Sequence, residues 1–260
     1  MMQTIRANGI DIRYDIQGQG PWVTLCHGLA CDLTLWDEQV AALAKYFTVL
    51  RYDLRGHGGS SVPEEGYSFE LMVRDLLGLL DALKVETSHF AGLSMGGIIG
   101  QHFALMAPER LNRLALTSTT SCFGPSMEAI WDQRIAVART QGMAPLVEPS
   151  LQRWFTEPYR YENPKLMADI GNVIRSTPVP GYAGCGRLIS TVNITDKLPR
   201  ITAPTLVLVG NEDPGTPPLM SEEIAAAIPG ARLEIVSQAS HLLNIEQAQL
   251  FNLLLLEFFG

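Results

Sequence analysis

The sequence predicts an α/β chain: a mostly parallel central sheet with helices on both faces and an inserted helical cap. Three observations predict it. Short apolar runs rich in strand formers alternate with segments of helical spacing up to about Thr119. That rhythm stops there and resumes near Ile201. Within "FAGLSMGGIIG" a single serine, Ser94, stands among four glycines where a strand-like run gives way to a helical one. The 260 residues suit one domain, with a core over about 1–120 and 191–260 and the cap over 121–190.

The elements follow in order. "IRANGIDIRYDIQ" is two alternating segments around Asn8-Gly9, a strong hairpin signal. "WVTLCHG" and "FTVLRYD" read as strands, and "DLTLWDEQVAALAKY" between them as a helix. "SFELMVRDLLGLLDALK" is a helix capped by Ser68, with Glu70 in its first turn. "TSHFAGLS" is a strand, "MGGIIGQHFALMAPE" a helix and "LNRLALTST" a strand. The cap carries prolines, aromatics and helical pieces such as "MEAIWDQRIAVARTQ". "ITAPTLVLVGNED", "MSEEIAAAI" and "ARLEIVSQ" restore strand, helix and strand, and the tail is a last helix, with Asn244 and Gln247 at capping-box spacing before it.

Composition narrows the function. Hydrophobic residues make up 47% and charged ones 18%, a globular balance. The formal net charge is −8 with no Lys/Arg block, which argues against nucleic acid or an anionic membrane as partner. "FNLLLLEFFG" is far shorter than the roughly 20 apolar residues that span a bilayer. The first residues lack the pattern of a secretory signal, and the four cysteines form no CxxC pair, so a reducing cytoplasm is expected. Five scattered histidines without ligand spacing imply no metal, and no cofactor motif is present.

Gly92-Leu93-Ser94-Met95-Gly96 has the features of a nucleophile elbow. A serine at a sharp strand-to-helix turn stands above the sheet in strained backbone geometry, and glycines on either side remove the side chains that would collide. A hydroxyl needs a base, and the base needs an acid to orient it. In this architecture the chain order is serine, acid, histidine. His241 in "SQASHLLNIEQ" and Asp213 in "LVLVGNEDPGTPP" both follow strands, with Glu212 as the rival acid. His27 and His57 read as hydrogen-bonded loop supports, and His89 and His102 as core or surface residues. The oxyanion donors are expected to be the backbone N–H groups of Leu29 and Met95.

With "HGLA", "RYDLRGHGGS", "GLSMGG", "GNEDPGTPP" and "SHLLNIEQ" in order across nearly the whole chain, the sequence resembles the α/β-hydrolase family. A finer resemblance, carried by "RIAVARTQGMAPLVEPSLQRWFTEPY", "TPVPGYAGCG" and "DPGTPP", is to the 3-oxoadipate enol-lactone hydrolases of aromatic catabolism. That family typically has Asn-Ser-Leu-Gly where this chain has His27-Gly28-Leu29-Ala30, and a second cysteine where it has Gly186. The resemblance implies a carboxylic ester hydrolase working through an acyl-enzyme on a small-molecule lactone. Such a lactone carries a carboxylate, for which Arg187, Arg153 and Arg134 are candidates, while Trp36, Trp131 and Trp154 are candidate pocket walls or core residues. The alternatives are a broad carboxylesterase or other lactonase, and a non-catalytic binding protein on the same fold. Relatives with an aspartate nucleophile are set aside because position 94 is serine.

Overall fold

Asn8 and Gly9, both at positive φ, close a tight hairpin between β1 (Gln3–Ala7) and β2 (Ile10–Gln17), with Ala7 opposite Ile10. The computed structural model describes residues 2–124 and 126–260. The remaining strands are β3 (Trp22–Cys26), β4 (Thr48–Tyr52), β5 (Ser88–Leu93), β6 (Leu111–Thr117), β7 (Thr205–Gly210) and β8 (Arg232–Val236). Among the described residues they form one eight-stranded sheet in the order β1-β2-β4-β3-β5-β6-β7-β8. β2 pairs antiparallel with β1 and with β4, and the rest of the sheet is parallel.

Every residue of β5 and β7 is buried, so both faces of the sheet are covered. The covering helices of the core are α1 (Asp37–Leu43), α2 (Phe69–Ala82) and α3 (Met95–Met106). The cap between β6 and β7 holds α4 (Ser126–Gln141), α5 (Val147–Trp154), α6 (Glu157–Glu162), α7 (Pro164–Ser176) and α8 (Val179–Ser190). α9 (Pro218–Ala227), α10 (Leu243–Glu246) and α11 (Ala248–Phe259) complete the core. Ser68 caps α2 by accepting the Leu71 N–H at 3.0 Å.

Two sequence expectations change. The run 33–43 is not one helix: a 3-10 turn over Leu33–Trp36, closed by the Asp32 side chain on Thr34 N–H, precedes α1. Asn244 is not a helix cap. It is fully buried in α10, where its Nδ2 donates to Leu35 O at 3.0 Å and to Gln39 Oε1 at 3.1 Å. The chain breaks at Gln247 before α11 starts, so the spacing falls across two helices and the amide serves the core instead.

The cap is seated through glycine. A Cβ on Gly181 would lie 2.0 Å from Gly56 O, and one on Gly184 would lie 2.4 Å from the Tyr67 ring. The backbone of α8 therefore rests directly on the loop after β4. The insertion's two ends are joined at its root by the Cys122–Asn193 bridge and by Ile194 N–H donating to Ser121 O at 2.8 Å. Gly181→Ala is expected to cost about 2–4 kcal/mol in urea unfolding, because the clash is with backbone that has no rotamer to escape into. A cost under about 0.5 kcal/mol would contradict this seating.

Candidate active site

Ser94 ends β5 and opens α3 with φ +57 and ψ −116, a backbone conformation that costs a residue with a side chain of order 1–3 kcal/mol. Two glycines permit it. A Cβ on Gly92 would sit 2.1 Å from Gly96 O, and a Cβ on Gly96 would sit 2.2 Å from Cys26 O at the end of β3. Neighbouring chain clamps the turn: Ser94 N–H donates to Thr117 O at 2.8 Å, and Thr119 Oγ1 donates to Ser94 O at 2.8 Å. The hydroxyl stands at the N-terminus of α3, where free N–H groups favour negative charge.

Asp213 and His241 meet beside it, in the loops after β7 and β8. His241 Nδ1 and Asp213 Oδ2 are 2.7 Å apart, with Asp213 buried. Burial alone would raise the Asp213 carboxyl. His241 and the Thr216 donors outweigh it and hold the group below its ordinary 3.8, so it stays ionised. Its Oδ1 accepts the N–H groups of Gly215 at 2.8 Å and Thr216 at 3.0 Å, and its Oδ2 accepts the Thr216 hydroxyl at 2.7 Å. Thr216 went unnoticed in the sequence, although an aspartate followed by Pro-Gly-Thr is the spacing of a self-bonded Asx turn. Glu212 is exposed and meets the histidine loop through its main chain, its N–H donating to Ala239 O at 3.0 Å.

Ser94 and His241 line one cavity of about 230 Å³, together with Leu29 and Met95. Among the described residues neither the Leu29 nor the Met95 N–H is taken by a protein acceptor. Among the described residues Ser94 Oγ likewise has no protein hydrogen-bond partner.

Two buried histidines support the loop bearing Leu29. His57 Nε2 accepts the Ala30 N–H at 3.1 Å while Nδ1 faces Arg55 O at 3.2 Å. His27 Nε2 accepts the Leu54 N–H at 3.0 Å while Nδ1 faces Gly28 O at 2.7 Å. Each ring thus uses one nitrogen as acceptor and the other as donor, which only neutral imidazole can do. Burial lowers both, His57 to about 3. Asp53 ties the far end of the loop by accepting the Leu33 N–H at 2.7 Å. Of the other histidines, His89 packs on Phe259 and His102 stacks on Phe69 at 5.0 Å.

The cap supplies the opposite wall. Trp131, Trp154, Tyr182, Arg134 and Arg153 all line the cavity. Arg134 lies over the Trp131 ring, 5.0 Å from its centroid, and Arg153 Nη2 donates to Ser150 Oγ at 3.1 Å. Met127, Ile130, Trp131 and Arg134 share one face of α4 by the three-and-four-residue repeat of a helix.

Two expected pocket residues stand elsewhere. Trp36 is fully buried against Phe251, 6.2 Å between centroids, because the 3-10 turn aims it into the core. Arg187 is half-exposed and pairs with Asp132 at 2.7 Å. Tyr182 and Ile189, seven residues apart, face the cavity from α8, whereas Arg187 is turned about 140° from Tyr182.

The model of the alpha/beta hydrolase fold matches residues 21–248. The chain belongs to the α/β-hydrolase family. It is 32% identical to 3-oxoadipate enol-lactonase 2 of Acinetobacter baylyi over 251 residues, 96% of this chain and 93% of that protein. The crystal structure of the enol-lactonase from Burkholderia xenovorans LB400 superposes with a TM-score of 0.95 at 39% identity, covering 99% of each chain. A putative carbamate hydrolase, RutD of Stutzerimonas stutzeri, is 28% identical over 95% of this chain and 96% of its own length. Among the described residues no His, Cys, Asp or Glu cluster could hold a metal ion, and no helix is long and apolar enough to cross a membrane.

The neutral pair beneath the loop sets a pH response. His57 titrates at about 3 in the folded chain against an ordinary 6.5. The unfolded chain binds the extra proton between those values, so stability is full above about 6.5 and is lost as pH falls, by about 1.4 kcal/mol per pH unit for this one group. Urea unfolding from about pH 6.5 to 4.5 is expected to show a shallower decline in His57→Gln than in the natural chain. Equal slopes would contradict the assignment of a neutral ring.

Proposed function

We propose that this hydrolase opens a carboxylate-bearing lactone through a Ser94 acyl-enzyme, with 3-oxoadipate enol-lactone as the best fit. One observation carries the substrate class. Arg134 and Arg153 face the cavity of Ser94, and among the described residues neither has a carboxylate partner. Burial, then the neighbouring Arg134 charge, pushes Arg153 down to about 10. Two cations crowded in a partly desolvated cavity are relieved by one anion, and guanidinium groups bind carboxylate in a forked, directional way.

The chemistry then runs in balanced steps. His241 takes the Ser94 proton as Oγ attacks the ring carbonyl, and Asp213 stabilises the resulting imidazolium. The Leu29 and Met95 N–H groups receive the oxyanion, where one such donor is worth about 3 kcal/mol. Collapse breaks the ring C–O bond, and the enol oxygen leaves with the proton from His241. Tautomerisation of that enol to a ketone removes the nucleophile that would reclose the ring. Water, deprotonated by His241, cleaves the acyl-enzyme and restores Ser94.

A broad carboxylesterase is the second reading, supported by the likeness to a thermophilic esterase from Thermogutta terrifontis, 30% identical with a TM-score of 0.93. Steady-state kinetics on the enol-lactone beside short p-nitrophenyl esters separates the two. The lactone is expected to be preferred in kcat/KM, and turnover confined to the simple esters would sink the lactonase reading. Arg134→Ala and Arg153→Ala are each expected to raise KM for the lactone about tenfold or more while sparing neutral esters. Ser94→Ala is expected to lower kcat by about 10⁴ or more on every substrate. Unchanged turnover would remove the serine mechanism.

A further inference from the structure

We infer that Glu246 is a positioning residue that couples the cap arm carrying Arg153 to the placement of His241. The inference rests on the reading of Arg153 as a substrate-carboxylate contact. Both chain neighbours of His241 are held by the end of α5: Ser240 Oγ donates to Arg153 O at 3.1 Å, and Leu242 N–H donates to Trp154 O at 3.0 Å. Glu246 supplies the third tie. Its Oε2 accepts the Ser240 N–H at 2.5 Å, and its Oε1 accepts the N–H and the hydroxyl of Thr156, each at 2.8 Å.

Both carboxylate oxygens are therefore spent on joining the histidine loop to the segment directly after Trp154. One short stretch, Arg153 to Thr156, holds a cavity cation and a partner of each of these bonds except Ser240 N–H to Glu246, which carries the tie on to the histidine loop. Burial raises the Glu246 carboxyl, and the Ser240 and Thr156 donors only partly offset that. For a half-buried carboxylate these three acceptor contacts offset the loss of water around it. Ser94 and His241 line the same cavity as Arg153, so the arm, the base and the hydroxyl meet at one place. A carboxylate drawn to Arg153 shifts the arm, and the shift reaches His241 through residues 240 and 242.

Kinetics of the natural chain and Glu246→Gln on mono-p-nitrophenyl adipate, which has the terminal carboxylate, and p-nitrophenyl hexanoate, which lacks it, test this. Glutamine faces the same donors with one acceptor oxygen and one amide N–H₂, which breaks one side of the tie. In Glu246→Gln, kcat on the adipate ester is expected to fall about tenfold or more with KM within about threefold, and kcat on the hexanoate ester to stay within about twofold. Thr156→Ala removes one donor only and is expected to move the same ratio less, which keeps the test open if Glu246→Gln does not fold. Equal losses on both esters, or no loss, in a folded variant overturn the inference and leave the Arg153 reading standing. If the natural chain does not prefer the adipate ester, the Arg153 reading falls first and the inference falls with it.

Discussion

Everything at this site depends on one backbone constraint: Ser94 sits at φ +57 on a turn so tight that two neighbouring positions admit no side chain. Gly92 and Gly96 are glycine because β5, α3 and the end of β3 approach so closely that a Cβ would lie 2.1 or 2.2 Å from a carbonyl oxygen. The hydrogen bonds to Thr117 and from Thr119 then hold a conformation that isolated chain would abandon. The turn stores strain, and the parallel sheet around it supplies the rigidity that keeps the strain in place. Function thus rests on packing before it rests on any charge.

Charge is arranged around that turn in layers. Beneath the loop bearing Leu29 lie two imidazoles kept neutral by burial, acting as hydrogen-bond struts. Behind His241 lies a carboxylate kept ionised by four donors, in spite of its burial. Across the cavity, the cap presents two arginines in a chain whose formal net charge is −8. Two guanidinium groups inside a negative molecule make the cavity locally positive without making the outer surface sticky to polyanions. The same cap arm that carries one of those arginines also grips the loop that bears His241.

Much of this was legible in the sequence because it is local. The hairpin at Asn8-Gly9, the cap at Ser68 and the elbow at Ser94 each depend on a few consecutive residues. Asp213 and His241 could be singled out because strand ends on one edge of a parallel sheet converge whatever lies between them. The cap was legible as helices and not as faces. Arg187 and Arg134 look alike as letters, and only the phase of α8 and α4 relative to the core separates an outward ion pair with Asp132 from a cavity cation. Trp36 was ambiguous for the same reason: its direction is set by a 3-10 turn that apolar spacing reads as ordinary helix. Asn244 misled because a capping pattern and a buried amide network use the same residue type, and the partner, Gln39, lies some two hundred positions away. Thr216 bonds locally, within the Asp-Pro-Gly-Thr turn, whereas Glu246 reaches Thr156 across some ninety positions, which no local pattern carries.

The direct test of the central claim is covalent. Treat the natural chain with a fluorophosphonate, digest it, and locate the adduct by mass spectrometry while following residual turnover. The account predicts one adduct per chain, on Ser94, with labelling and loss of activity in step, and labelling slowed in His241→Ala. An adduct elsewhere, or full labelling of Ser94 with turnover intact, would contradict it.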